Sequence, residues 1–259
     1  MKKKTNLLIP IAILAALGGA AYWYHLQPPG QEGQPTEAPK TTEEMKKDHY
    51  EVGSDAHKAG GPLPKLEESD NDLTHALNGI VTKERMEQIL HMNNFIQRFV
   101  VTIDTATTSK FTIEFLPVAL APGKFSAVGK DDDATFSDKN AERYRSYVNF
   151  AKDVDAKQAV AIYARFYPLF QQAYDELGSK GYFNDRLVAV IDHLLETPEP
   201  KGRIQLTKSM MSYKYADPAL ENLSAGQKTL IRIGPENEKV LKEKLRQFRE
   251  QLVHLKNAK

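Results

Sequence analysis

Residues 155–196, DAKQAVAIYARFYPLFQQAYDELGSKGYFNDRLVAVIDHLLE, decide the fold class. In the first half Val160, Tyr163, Phe166, Tyr167, Phe170, Tyr174 and Leu177 recur at spacings of three and four, which places them on one face of a helix. Asp155 stands where a side-chain oxygen caps such a helix, and Gly178 where it stops. Pro168 lacks the amide the helix needs and crowds the preceding turn, so a kink is expected there. In the second half Leu187, Val188, Ile191, Leu194 and Leu195 make a second stripe, with Asn184 read as its cap and Thr197 and Pro198 as its stop.

Helical spacing extends to both sides of this stretch. Upstream, Tyr144, Tyr147 and Val148 mark a helix after Asp138, and Phe95, Ile96, Phe99, Val100 and Ile103 form one apolar face. Ser69 and Asp70 are the expected caps for LTHALNGI, and another helix starts near Thr82. Between about Thr107 and Phe136 the period changes: FTIEFL alternates, and FSAVGKDDDATF reads as two short extended arms around an acidic turn. The run Asp131, Asp132, Asp133 lacks the ligand spacing of a calcium loop and is read as solvated.

Downstream, a short extended piece near Ile204 to Leu206 leads to helix starts at Asp217 with Pro218, and at Ser224. Gly234 breaks the chain and Pro235 suits the first turn of a closing helix. That helix carries Leu241, Leu245, Phe248, Leu252 and Leu255 at heptad spacing, over fewer repeats than the three or four a coiled coil needs. Core packing is therefore expected rather than a dimer zipper. The fold class that follows is mainly α: a compact multi-helix domain over residues 63–256 with a small β-hairpin or short sheet.

The chain begins differently. Lys2, Lys3 and Lys4 precede a run from residue 7 to residue 26 without Asp, Glu, Lys or Arg, built on Leu7, Leu8, Ile9, Ile11, Ile13, Leu14 and Leu17. About 20 residues make roughly 30 Å of helix, the thickness of a bilayer core. The lysines favour a cytoplasmic N-terminus of residues 1–6, and Tyr22, Trp23 and Tyr24 suit the opposite interface. The expectation is one transmembrane helix over 7–26. A cleaved secretory signal is the rival reading, since Gly18, Gly19, Ala20 and Ala21 offer a cleavage site. Residues 27–62 are rich in Pro, Gly, Gln and Glu and read as a disordered tether. With Lys+Arg 35 against Asp+Glu 34 there is no polyanion-binding field over the whole chain, so nucleic acid is not the expected partner. The chain has no Cys and hence no disulfide framework.

The chemical motifs thin out on inspection. Gly226, Gln227, Lys228 and Thr229 lack the upstream glycine and adjacent Gly-Lys of a phosphate loop. The histidines form no HExxH pair, no GxSxG or SxxK accompanies any serine, and no metal or cofactor is expected. Asp192 and His193 are adjacent on a helix and point about 100° apart, so they do not form a base with its orienter. Tyr182, Asn184, Asp185 and Arg186 carry two readings: a cleft for a polar ligand or partner, or a helix cap with an ion pair.

The stretches YPLFQQAYDELG, GYFNDRLVAVIDHLLETPEP, YADPALENLSAGQKTLIRIGPEN and PLPKLEESDNDL resemble a bacterial family known as domain of unknown function 3014. The resemblance implies a membrane segment and tether ahead of the domain, and hence an inner-membrane protein with a periplasmic domain. It implies no catalytic residue. The expected function is a module that binds another envelope component, protein or glycan. The alternative is an enzyme acting on an envelope polymer through acids or a histidine gathered by the fold, and its mark is a concave site with converging acids near Tyr182 to Arg186. A sensor is a third reading, with little cytoplasmic chain for output. Oligomeric state is not legible.

Overall fold

The computed structural model describes residues 49–53, 61–109, 111–130, 133–209 and 212–255. Residues 7–26, read above as the membrane anchor, lie outside the described residues, as do Asp131 and Asp132 of the acidic turn and most of the tether. Among the described residues no helix is long and apolar enough to cross a membrane.

Among the described residues ten α-helices and two hairpins follow one another. After a 3₁₀ turn at Leu66–Glu68 come α1 (Ser69–Asn78), α2 (Lys83–Ile89) and α3 (Phe95–Thr105). Hairpin β1 (Ala127–Val128) and β2 (Thr135–Phe136) precedes α4 (Lys139–Arg143), α5 (Arg145–Lys152), α6 (Ala156–Glu176) and α7 (Phe183–Leu195). A second hairpin, β3 (Leu206–Ser209) and β4 (Ser212–Tyr215), is followed by α8 (Pro218–Glu221), α9 (Ala225–Arg232) and α10 (Pro235–Val253). Both hairpins are antiparallel, and a single bridge from Thr135 to Gln205 joins them.

The core is where the apolar stripes meet. Phe95, Ile96, Phe99, Val100 and Ile103 of α3 are all buried, as are Leu187, Val188, Ile191 and Leu194 of α7. Phe99 meets Phe170 of α6 edge-on at 5.4 Å and Phe183 of α7 at 6.1 Å, while Phe170 and Phe183 stack at 5.9 Å. Leu241, Leu245, Phe248, Leu252 and Leu255 close this core, because α10 lies against α5, α6 and α7. The heptad stripe is thereby spent within the chain. A smaller cluster of Ala134, Leu206, Tyr215, Leu220 and Ile231 forms under the two hairpins.

Several starts occur as read. Thr82, Asp155 and Asp217 accept from backbone amides of their own helices, and Ser224 with Gln227 makes a reciprocal capping box. Others do not. Asn184 is not the cap of α7: the helix begins at Phe183, whose amide donates 2.8 Å to Oε1 of Gln171 on α6. Asp70 does not cap α1 but accepts from Asn94 N at 2.6 Å and Phe95 N at 3.0 Å, at the start of α3. Ser69 Oγ donates to Leu66 O. At the starts of α3 and α7 a neighbouring helix supplies the oxygen.

FTIEFL is not extended. Ile113–Phe115 is a 3₁₀ turn, since its carbonyls find side chains of α3 rather than a strand: Arg98 donates to Glu114 O, and Thr102 Oγ1 to Phe115 O at 3.1 Å. The short piece near Ile204 to Leu206 is the entry to a full second hairpin, whose returning strand alternation alone did not mark. The helix expected around Tyr144 breaks there into α4 and α5. Pro168 does not interrupt α6, which runs unbroken for 21 residues with Phe166, Leu169 and Phe170 buried around the proline.

Gly234 joins α9 to α10 with φ 88° and ψ 154°, a region open essentially to glycine alone, and an added Cβ would stand 2.8 Å from Ala141 Cβ. Gly234→Ala should therefore cost about 1–3 kcal/mol. Urea unfolding measures it, and a change under about 0.5 kcal/mol would show that the junction relaxes freely.

Candidate functional site

The first turn of α7 carries the residues singled out by sequence. Their surroundings differ. Tyr182 is 53% exposed, while Asn184 is fully buried. Asp185 accepts from Tyr50 N at 2.7 Å through Oδ1 and from His49 Nδ1 at 2.9 Å through Oδ2. Asn184 Nδ2 donates to Tyr50 O at 2.9 Å, and the Tyr182 ring lies 4.0 Å from that of His49. Three of the four residues thus converge on a stretch of the chain itself. Tyr50 and Val52 also pack on the main core, although residues 49–53 fall within the span read as tether. The stretch acts as a strap, tied by its backbone at Tyr50.

Arg186 serves elsewhere. Its Nε lies 3.2 Å from Asp104 Oδ1, and its Nη2 donates to Asp104 O at 2.6 Å and to Thr107 Oγ1 at 2.9 Å, tying α7 to the end of α3. The nearby tyrosines stay protonated at neutral pH, because burial pushes the Tyr167 hydroxyl up to about 12 and that of Tyr163 well above its ordinary value. Asp185→Asn removes the charge that grips the strap, and a charged acceptor of this kind contributes about 1.5–3 kcal/mol at most when buried. Because the clasp is part-exposed, a loss of about 1.4 kcal/mol is expected, read as a roughly tenfold faster hydrogen exchange at the Tyr50 amide. Unchanged exchange there would mean that the clasp does not hold the strap.

Asp192 and His193 are separated as their helical positions require. Asp192 is held by the forked guanidinium of Arg249 on α10. His193 Nε2 meets Ser224 Oγ at 2.9 Å, which superficially pairs a base with a nucleophile. Acyl transfer also needs backbone donors free to receive an oxyanion. The two amides after Ser224 are already used: Ala225 N donates to Thr108 O at 2.7 Å and Gly226 N to Ala106 O at 3.0 Å. Burial lowers the pKa of His193, and Gln227 Nε2 donates to its carbonyl, so the pair is a cap joining α7 to α9. Lys228 turns back to Glu221 O at 2.8 Å instead of facing a ligand.

A concave feature lies beyond the other end of α7. A groove of about 480 Å³ opens between β1–β2, residues 199–204 and the start of α10. Its volume falls within the roughly 300–1,000 Å³ of ligand sites. Phe136, Ile204 and Ile231, all parts of the smaller core, form its apolar wall, and Val128, 59% exposed, stands at its lip. Asp138, Glu199, Glu236 and Glu238 bring carboxylates and Arg203 a guanidinium, and Glu236 is paired with Lys239 Nζ at 3.0 Å.

Beneath the groove an ion pair is buried. Lys242 Nζ donates to Thr197 O at 2.6 Å and to Glu199 Oε1 at 3.1 Å, and lies 2.9 Å from Glu238 Oε1. Glu238 is 1% exposed, and its Oε1 has charge contact with Lys242 without a well-directed hydrogen bond. Burial outweighs the lysine and raises the carboxyl above its ordinary value. Among the described residues no group of three or more His, Asp or Glu side chains is placed to hold a metal ion.

A family model matches residues 95–249, more than half of the chain. The chain belongs to the family described as protein of unknown function (DUF3014). The family match takes in the whole groove, its buried lysine and the first turn of α7, and leaves the strap at residues 49–53 outside. Comparisons with curated proteins and with solved structures found no match.

Sequence reasoning missed the groove, because hairpin, loop and helix meet there only in the fold. One signal was legible. Glu238 lies one heptad before Leu245, a charge in the register of the apolar stripe, with Lys242 four residues on as its partner.

Proposed function

We propose that this chain is a membrane-anchored binding module. In this reading residues 7–26 hold it in a bacterial inner membrane with the N-terminus in the cytoplasm. The tether carries the domain into the periplasm, and the groove receives a segment of another envelope protein. The anchor rests on the three N-terminal lysines, the uncharged apolar run and the aromatic residues that follow it. The binding role rests on the groove: an apolar wall with a few polar groups at its margin is the composition of recognition sites. Aliphatic and phenyl groups favour a peptide segment over a glycan, which asks for flat stacking surfaces and many hydrogen bonds. The enzyme reading has weaker support. The acid it needs near Tyr182 is engaged with the chain's own His49 and Tyr50, and the arginine with Asp104.

Placing a photo-crosslinking phenylalanine analogue at Val128 in whole cells tests the reading. The control is the same residue at Glu87, exposed on α2 and no part of the groove. A discrete adduct at Val128 and none at Glu87 is expected, in a membrane fraction that resists alkaline washing. Absence of any Val128-specific adduct across several growth conditions counts against the binding role. Release of the full chain by the alkaline wash counts against the anchor.

A further inference from the structure

The groove is not electrically neutral. Four carboxylates and one guanidinium line it, Glu236 is paired at the exposed margin with Lys239 Nζ at 3.0 Å, and the ammonium beneath is divided between Glu199, Glu238 and a carbonyl. Lys242 therefore serves both Glu199 and Glu238, and with Arg203 and Lys239 counted the four acids still exceed the three bases by one. An anionic occupant would add repulsion in a setting of low dielectric, and a neutral one would leave the carboxylate as it is. A cation would balance the charge. A bare metal ion is not favoured, since no three such ligands gather among the described residues. The wall of Phe136, Ile204 and Ile231 further asks for apolar contact beside the charge.

Resting on the reading of the groove as the binding site, we infer that its occupant is a basic peptide segment that sets a lysine or arginine beside a large apolar side chain. The cation lies toward Glu236 and Glu238, and the apolar group fills the space between Phe136, Ile204 and Ile231.

Selection of a random peptide library on the purified full chain in detergent tests this, with enriched peptides then titrated against Val128→Asp and Glu236→Lys. Both substitutions are at exposed positions, so the folded state is retained, and a thermal melt verifies it. The expected outcome is enrichment of Lys or Arg next to Leu, Ile, Phe or Val. Binding should be weakened about tenfold by each substitution and should fall with added salt. Peptides lost on Val128→Asp but without basic residues, and indifferent to Glu236→Lys, would overturn the charge inference while leaving the groove as a binding site. No enriched peptide that responds to Val128→Asp would overturn both.

Discussion

Lys242→Met should lower the unfolding free energy by about 3–5 kcal/mol, because it strands the carboxylate of Glu238 in the interior without its counter-charge. For a domain of this size that corresponds to a melting temperature lower by roughly 6–20 °C. The methionine itself fits the aliphatic path of the lysine, so the loss is electrostatic. Adding Glu238→Leu should return stability to within about 1 kcal/mol of the parent, since a buried pair replaced as a unit by apolar groups is often neutral.

The effect also has a pH signature. Burial, first among the causes, raises the Glu238 carboxyl above its ordinary value of 4.5, and Lys242 opposes that shift. A carboxyl with a folded-state pKa above its unfolded one binds its proton more tightly when folded. Its contribution to stability is fully present below the unfolded value and is lost as pH rises through the folded one. Without Lys242 the gap widens, so the deficit of Lys242→Met should be smallest below about pH 4.5 and complete at neutral pH. Urea unfolding at acid and neutral pH checks this. A deficit that is small at neutral pH, or that grows in acid, would contradict the assignment of Lys242 as the counter-charge.

Phe99→Ala should cost about 3–5 kcal/mol, the usual loss for a large aromatic in a closed core. The ring touches Phe170 and Phe183 on two other helices, so its removal opens the junction of α3, α6 and α7 at once. Phe99→Leu keeps most of the volume and should cost under about 1.5 kcal/mol. Paired denaturant titrations of the two variants separate lost volume from lost apolar character. Equal costs would show that the site collapses around the smaller residue.

The strap and the groove lie at opposite ends of α7, at its first turn and beyond its last. The chain's own residues 49–53 occupy the first of these, and the groove opens at the second.

Much of the fold was legible because it rests on periodicity. The stripes of α3, α6, α7 and α10 follow from spacing alone, since burial of one helical face depends on local geometry and not on which partner supplies the other half. The capping box at Ser224 and the proline starts at Pro218 and Pro235 are local as well, each using atoms within one turn. Where the expectation failed, the partner came from far along the chain. Gln171 caps α7, Asp70 holds the start of α3, and Arg98 with Thr102 takes carbonyls that an alternating sequence had promised to a strand. Backbone groups take whichever oxygen or donor the packed structure brings within reach, and local sequence does not record that.

The candidate residues divide along the same line. Tyr182, Asn184 and Asp185 were legible as a polar cluster, but only the tertiary structure decided that they hold His49 and Tyr50 rather than an outside ligand. The groove was not legible at all, apart from the misplaced charge of Glu238, because its walls come from a hairpin, a loop and a helix start separated by some hundred residues. By itself the sequence determined a mainly helical domain, its stripes and its self-contained caps, all properties of neighbours within a few turns. The tertiary structure alone decided the shared caps, the strap and the acidic groove, because each depends on a free energy gained between groups that only packing brings together.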